Sequence, residues 1–269
     1  MRRWSCVGAV LLLALAGCSR PPAEPPAPTG WRQHPLEDPG LPRRSEAELA
    51  RCASQLKLAP EQATPADPTN FGERQPADAL GRPVPHQPML IVLHETVISS
   101  PATVAFFQTP HPKDEDQASY HLLIDRAGQR LRFVPDAQRA FGAGMSAFGD
   151  ATIRIGSTSV GSVNNVALHL GLETPADGRG DSDGHSGYSQ RQYAVTAAQV
   201  LLWQGRFGIP MGRVTTHAAV DRSHSRYDPR SFRWDRFDAA YAKAAATCGW
   251  SEYSNGLAVI SHQVVHACS

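Results

Sequence analysis

Three residues of metal-binding type stand at telling places in the chain. His94 closes the apolar run Met89-Leu90-Ile91-Val92-Leu93. His217 follows Val214-Thr215-Thr216, and Asp228 sits in Arg226-Tyr227-Asp228-Pro229. Two imidazoles and one carboxylate are common protein ligands of a catalytic zinc, which keeps its fourth position open for water. Taken singly, each of the three reads as a satisfied buried residue. Convergence of all three would bury three polar groups at one point, and a ligand would have to offset that cost. Glu95 follows His94, but position 98 is Ile, so the helical HExxH arrangement is absent. His94 on a strand end is a different geometry.

The elements that must carry these residues can be read from patterning. Residues 89–94 read as a buried strand. Ser100-Pro101 opens a helix to about Gln108, with Ser100 as cap and Pro at the first position. Residues 120–126 and 130–134 flank Ala127-Gly128-Gln129 and read as a hairpin. Residues 166–173 make another strand. Ser189 with Gln192 forms a capping box, opening a helix that ends near Gly208 before Pro210. A last helix is expected over 235–246. Strands interleaved with helices indicate an α/β fold, a single mixed domain whose central, mostly β sheet is flanked by helices. This domain is expected over 88–249, with an ambiguous tail over 250–269.

The start of the chain is of another kind. Arg2 and Arg3 precede the apolar run 7–15, and Ala16, Gly17 and Cys18 follow. A basic start, a short apolar stretch and small residues make a secretory signal over 1–17. The apolar stretch is too short to span a bilayer comfortably. Leu15-Ala16-Gly17-Cys18 resembles the lipobox of bacterial lipoproteins, which implies lipid on Cys18. Several acyl chains together anchor stably. An ordinary signal peptide cut nearby is the alternative. Ser19, in place of Asp, resembles lipoproteins sent to the outer membrane. The expected location is the cell envelope, lipid-anchored and facing the periplasm. Residues 18–87 are then the lipidated Cys, a tether and an N-terminal wrap. Eight prolines between 19 and 42 give an extended tether. Residues 44–57 show a short helical pattern with Leu49, Cys52 and Leu56 on one side.

In an oxidising compartment, Cys52, Cys248 and Cys268 permit one bridge and leave one thiol over. Cys52–Cys248 is favoured and Cys248–Cys268 competes. No CxxC is present, which argues against a cysteine-based metal site. The net charge is +1, and loss of Arg2 and Arg3 makes it about −1. No basic excess exists to neutralise phosphates, so nucleic acid is a poor partner. A monomer is expected.

Four segments occur in a telling order. They are Ile91-Val92-Leu93-His94-Glu95-Thr96, Ser119-Tyr120-His121-Leu122-Leu123-Ile124-Asp125, Leu170-Gly171-Leu172-Glu173, and Thr216-His217 through Asp228-Pro229. Together they resemble zinc-dependent N-acetylmuramoyl-L-alanine amidases of the AmpD-like family, related to phage lysozyme-type amidases and peptidoglycan recognition proteins. The likeness covers roughly 85–245. It implies an amidase-like fold and Zn2+ on His94, His217 and Asp228. It implies peptidoglycan or muropeptides as substrate, cut at the amide between N-acetylmuramic acid and L-alanine. Glu173 matches the family's acid–base carboxylate, and Tyr120 the tyrosine of the phage-type enzymes. Arg226 stands where the family has Lys. Arg cannot give up a proton at working pH, so Arg226 is expected to stabilise an oxyanion, with Tyr120 donating to the same oxygen. A second departure is Ala140-Phe141-Gly142-Ala143-Gly144, where the family shows Trp-His before Ala-Gly. His121 is expected to be structural, and His169 and His224 to be solvated or to stand behind the ligands. The loop 174–187, rich in Gly and Asp, fits a mobile rim. Its Arg179-Gly180-Asp181 reads as coincidence, and EF-hand calcium spacing is missing. Two alternatives stay open: a muropeptide-binding module without turnover, and a zinc peptidase acting on the stem peptide.

Overall fold

The structure is a computed structural model and describes residues 33–157, 159–180, 182–250 and 253. Along the chain, helix α1 (Glu46–Gln55) precedes the short strands β1 (Gln62–Ala63) and β2 (Phe71–Glu73). Strand β3 (Leu90–Glu95) leads to α2 (Ser100–Gln108). Then come β4 (Leu122–Ile124), β5 (Arg130–Arg132), β6 (Gln138–Ala140) and β7 (Ala167–Leu172). Helix α3 (Gln190–Phe207) is followed by β8 (Val214–Thr216), α4 (His217–Val220) and α5 (Trp234–Cys248). The main sheet has the order β1-β5-β4-β7-β3-β8, and β2 pairs with β6 separately. All pairings in the main sheet are parallel except β4 with β5. The fold is therefore α/β, with a central sheet flanked by helices, as patterning indicates.

The middle of the sheet explains its own sequence. Every residue of β3 and β7 is buried. Parallel strands covered on both faces read as near-continuous apolar runs. Ile91, Leu93, Leu168 and Leu170 pack against Val200 and Leu201 of α3 and Phe237 and Tyr241 of α5. Leu90, Val92 and Ala167 face the other way, toward Phe148, Ile153 and Val220. Each such side chain contributes about 1.5–3 kcal/mol on full burial.

The helix boundaries follow local chemistry. Ser189 and Gln192 form the expected capping box, and Gly208 ends α3 in the left-handed conformation. Helix α2 is capped by Ser99, whose Oγ accepts from Ala102 N. This is one residue earlier than the Ser-Pro pair suggests, because Ser100 itself adopts the first helical position. Cys52 on α1 is bonded to Cys248 at the end of α5, the favoured pairing.

The proline-rich segment does not all behave as a tether. From residue 33 it lies on the domain. Arg213 donates from Nε to the carbonyls of His34 and Pro35, and from Nη2 to Asp38 O. Leu41 N donates to Gly208 O, and Leu36 is buried. The guanidinium gives this segment the partners that its own composition lacks. Cys18, the signal region, Cys268 and the 254–269 part of the tail lie outside the described residues. Among the described residues no helix is long and apolar enough to cross a membrane.

Candidate metal centre

Sheet register brings two of the ligand-type residues together. In β3, Leu90 and Val92 point to the face away from α3 and α5, and His94 follows them by alternation. Leu93 lies opposite Thr216 of parallel β8. The next residue along the chain from each, His94 at the end of β3 and His217 at the start of α4, therefore stands beside the other, with ring centroids 4.6 Å apart. Thr216 caps α4, its Oγ1 accepting from Ala219 N. Asp228 arrives from the loop after α4. Its backbone carbonyl accepts from Ala218 N, and its Oδ2 accepts from Glu95 N.

The three side chains meet. Asp228 Oδ1 is 2.9 Å from His217 Nδ1, and Oδ2 is 3.4 Å from His94 Nδ1. The ligand atoms all lie within 4.8 Å of one another, and all three residues are buried. His94 Nδ1 is fully buried and has no hydrogen-bond partner. Such an orphan costs about 1–3 kcal/mol, and a cation at this point would satisfy it. Burial, aided by His217, lowers the His94 pKa to about 4 against the pull of Asp228. The ring is thus neutral at working pH, the state a metal requires. Burial works to raise Asp228, but the neighbouring His217 and His94 hold its carboxyl well below the usual range. Two imidazoles and an ionised carboxylate form a donor set that fits a divalent ion.

The centre opens on a cleft of about 860 Å³. Phe106, Phe107, Asp116, Asp183, Arg226 and Tyr227 stand among its lining. Arg226 is exposed, and its backbone N–H donates to Asp221 Oδ2. That carboxylate also accepts from Ser225 N, which fixes the loop carrying Arg226. Tyr120 stacks on His94 with centroids 4.7 Å apart. Its ring lies over Gly171, where an added Cβ would come within 2.5 Å of it. Burial pushes the phenol pKa well above the usual value, and the hydroxyl donates to Glu95 O at 3.1 Å.

Glu173 follows β7 at the same end of the sheet as His94 and His217. Its Oε1 accepts from Ser100 N and its Oε2 from Arg126 N, both at 3.0 Å. The structure thus brings together His94, His217, Asp228, Tyr120 and Arg226, while the Glu173 carboxylate is engaged by two backbone N–H groups and by Arg179 Nη2 at 3.5 Å. His121 is buried, with Nε2 facing Gln138 O and the Arg74 guanidinium. His169 is buried against His94, and His224 is exposed.

One cluster escaped the sequence reading. Glu95, directly after the first ligand, has a fully buried carboxylate. Arg230 Nε and N donate to its Oε1, while His185, Tyr188 and Thr174 surround Oε2. Arg230 reaches on to the carbonyls of Gly178, Gly180 and Ser182 in the Gly- and Asp-rich loop. The rim loop is therefore clamped at its middle. The Glu95 position was visible only as half of a failed HExxH, and its partners lie 79 to 135 residues away.

The family model described as N-acetylmuramoyl-L-alanine amidase matches residues 84–231, more than half of the chain. The chain belongs to this family. Membership and the buried triad together mark an amidase-type, metal-dependent hydrolase. No curated protein matches this family member. Solved structures similar to it include a selenomethionine derivative of AmpD, 24% identical, covering 69% of this chain and 97% of that one, with a TM-score of 0.47. The solution structure of Citrobacter freundii AmpD is 22% identical, covers 70% and 93%, and has a TM-score of 0.45. A mutant endolysin from Bacillus subtilis is 16% identical, covers 68% and 99%, and has a TM-score of 0.45.

Proposed function

We propose that this chain is a zinc-dependent amidase of the cell envelope that cuts the bond between N-acetylmuramic acid and L-alanine in peptidoglycan or its fragments. The observation that carries the reading is the buried convergence of His94, His217 and Asp228, the last two of which line an open cleft. Bound there, zinc would polarise the scissile carbonyl and bring the pKa of a water to about 7.

The chain's own residues supply the rest. Arg226, exposed on the cleft wall, offers fixed positive charge to the oxygen that becomes anionic. It cannot release a proton, so its part is electrostatic. Tyr120 holds its hydrogen on Glu95 O and packs the His94 ring. It reaches the oxyanion only by releasing that carbonyl. Glu173 is the proposed acid–base carboxylate, taking a proton from water and giving it to the leaving nitrogen, a role worth about a hundred- to ten-thousand-fold. Its Oε1 and Oε2 each accept one backbone N–H, from Ser100 and Arg126, which leaves lone pairs for a proton. The same reading has the chain processed before Cys18 and held in the outer membrane by lipid on that residue.

The engaged Glu173 carboxylate favours one second reading, a module that grips muropeptides without turnover. The test is digestion of purified peptidoglycan with and without chelator, followed by mass analysis. The amidase reading expects stem peptides with a free L-alanine amine and sugars with an intact lactyl carboxylate. Chelator abolishes this and zinc restores it. His217→Ala loses metal and turnover together, whereas Glu173→Ala keeps the metal and loses most activity. Binding with no metal-dependent release would establish the second reading. Products cut within the stem would establish a peptidase.

A further inference from the structure

The triad accounts for one nitrogen of His94. The other, Nε2, lies 2.9 Å from Nδ1 of His169. Both rings are fully buried, with centroids 5.0 Å apart. Two ring nitrogens at this distance share one hydrogen. With His94 Nδ1 kept free as a lone pair for a cation, Nε2 carries the hydrogen and His169 Nδ1 accepts it. His169 then carries its own hydrogen on Nε2, an atom that is buried without a partner. A histidine that binds metal through one nitrogen is commonly oriented through the other, most often by a carboxylate or a backbone carbonyl. Here the group at that place is a second imidazole.

The surroundings hold His169 in this pose. Its backbone N–H donates to His121 Nδ1 at 2.9 Å, and the two rings stack with planes 17° apart. With Nδ1 accepting, His121 carries its hydrogen on Nε2 and donates it to Gln138 O, while the Arg74 guanidinium beside it is held by Asn165 O and Ala167 O. On the remaining side lies Gly142. A Cβ built there would fall 2.4 Å from both Cγ and Nδ1 of His169. No side chain fits at 142 while the ring stays where it is. Position 142 is one of the two departures noted in the sequence, and the geometry explains why it is Gly here.

We propose that His169 is the positioning residue for the metal ligand His94, fixing it with Nδ1 toward the triad, and that Gly142 is required to admit the His169 ring. The inference rests on the metal reading of the triad.

The experiment uses the full chain and two measurements. Zinc affinity is measured by chelator competition for the parent and for His169→Ala, His169→Phe, His169→Asn and Gly142→Ala. Loss of such an outer partner typically weakens metal binding about 10- to 100-fold, and that loss is expected for His169→Ala and His169→Phe. His169→Asn, which keeps an acceptor, restores part of it. Gly142→Ala weakens zinc binding in the parent but adds nothing in a His169→Ala background, since the obstructing ring is gone. Folded His169→Ala and His169→Phe chains that bind zinc as tightly as the parent would overturn the proposal. The second measurement needs neither metal nor a variant. Long-range nitrogen–proton correlation spectra of the metal-free parent are expected to show His94 with its hydrogen on Nε2, and a hydrogen on Nδ1 would overturn the proposal. A parent that binds no zinc, yet shows His94 protonated on Nε2, would sink the metal reading and leave the orienting role standing.

Discussion

Arg230→Met probes the buried clamp beside the triad. Arg230 is 4% exposed, and its partner Glu95 has no exposed side-chain surface. The substitution removes the guanidinium from Glu95 Oε1 and frees three loop carbonyls, those of Gly178, Gly180 and Ser182. Removing one partner of a buried pair leaves a charge without compensation and costs about 3–5 kcal/mol. A domain of this size loses about 2–4 °C of Tm per kcal/mol, so the melting point should fall by roughly 6–20 °C. The released loop should also become a protease target between 178 and 184. Adding Glu95→Gln removes the stranded charge while His185, Tyr188 and Thr174 keep partners. That double variant should regain most of the lost stability. Thermal melts by circular dichroism and timed proteolysis with mass mapping decide the matter. If Arg230→Met melts with the parent and its loop stays protected, the clamp carries no weight and the reasoning fails.

Three further outcomes are expected. Burial, aided by the charge of Asp235, raises the pKa of Asp238 to about 6. An acid whose folded pKa is raised costs stability where it is ionised, above about pH 6, and costs nothing below the ordinary value near 4. Asp238→Asn should therefore raise the Tm at pH 7.5 and leave it unchanged at pH 3.5; an equal gain at both would exclude titration as the cause. Gly171→Ala would drive a Cβ to 2.5 Å from the Tyr120 ring, and overpacking of this kind costs about 1–3 kcal/mol. In a Tyr120→Ala background the same change should be nearly neutral, and simply additive losses would refute the contact. Reduction of Cys52–Cys248, which spans 196 residues of sequence, should cost about 2–5 kcal/mol in a denaturant titration. Identical titrations with and without reductant would deny the bridge a stabilising role.

The sequence carried the two histidines of the triad because each ends a readable local signal, whereas Asp228 in its loop was legible only through the family resemblance. His94 closes a run of strand residues, and His217 follows a β-branched triplet that pairs with the same strand. The capping box at Ser189 was visible for the same reason, since its two partners are three residues apart. Strands β1, β2 and β6 were not legible, as two or three residues cannot establish a period. The Glu95 cluster and the His94–His169 contact are tertiary. They join residues 75 to 135 positions apart with no local pattern to announce them. The bonds of Glu173 to Ser100 N and Arg126 N are of the same kind. The docked segment from residue 33 was hidden for another reason. Its order comes from Arg213, a residue on the far side of the chain, and not from its own composition.

The sulfur bridge between α1 and α5 also decides where a mechanical load would travel. Tension applied to the chain ahead of α1 first meets the Arg213 anchorage and then Cys52. From there it passes across the covalent link into the last turn of α5. Strands β3, β7 and β8, which set the spacing of the three ligands, lie off that route. A pull on the leading end of the domain therefore reaches its last helix through a covalent bond rather than through the hydrogen bonds of the sheet.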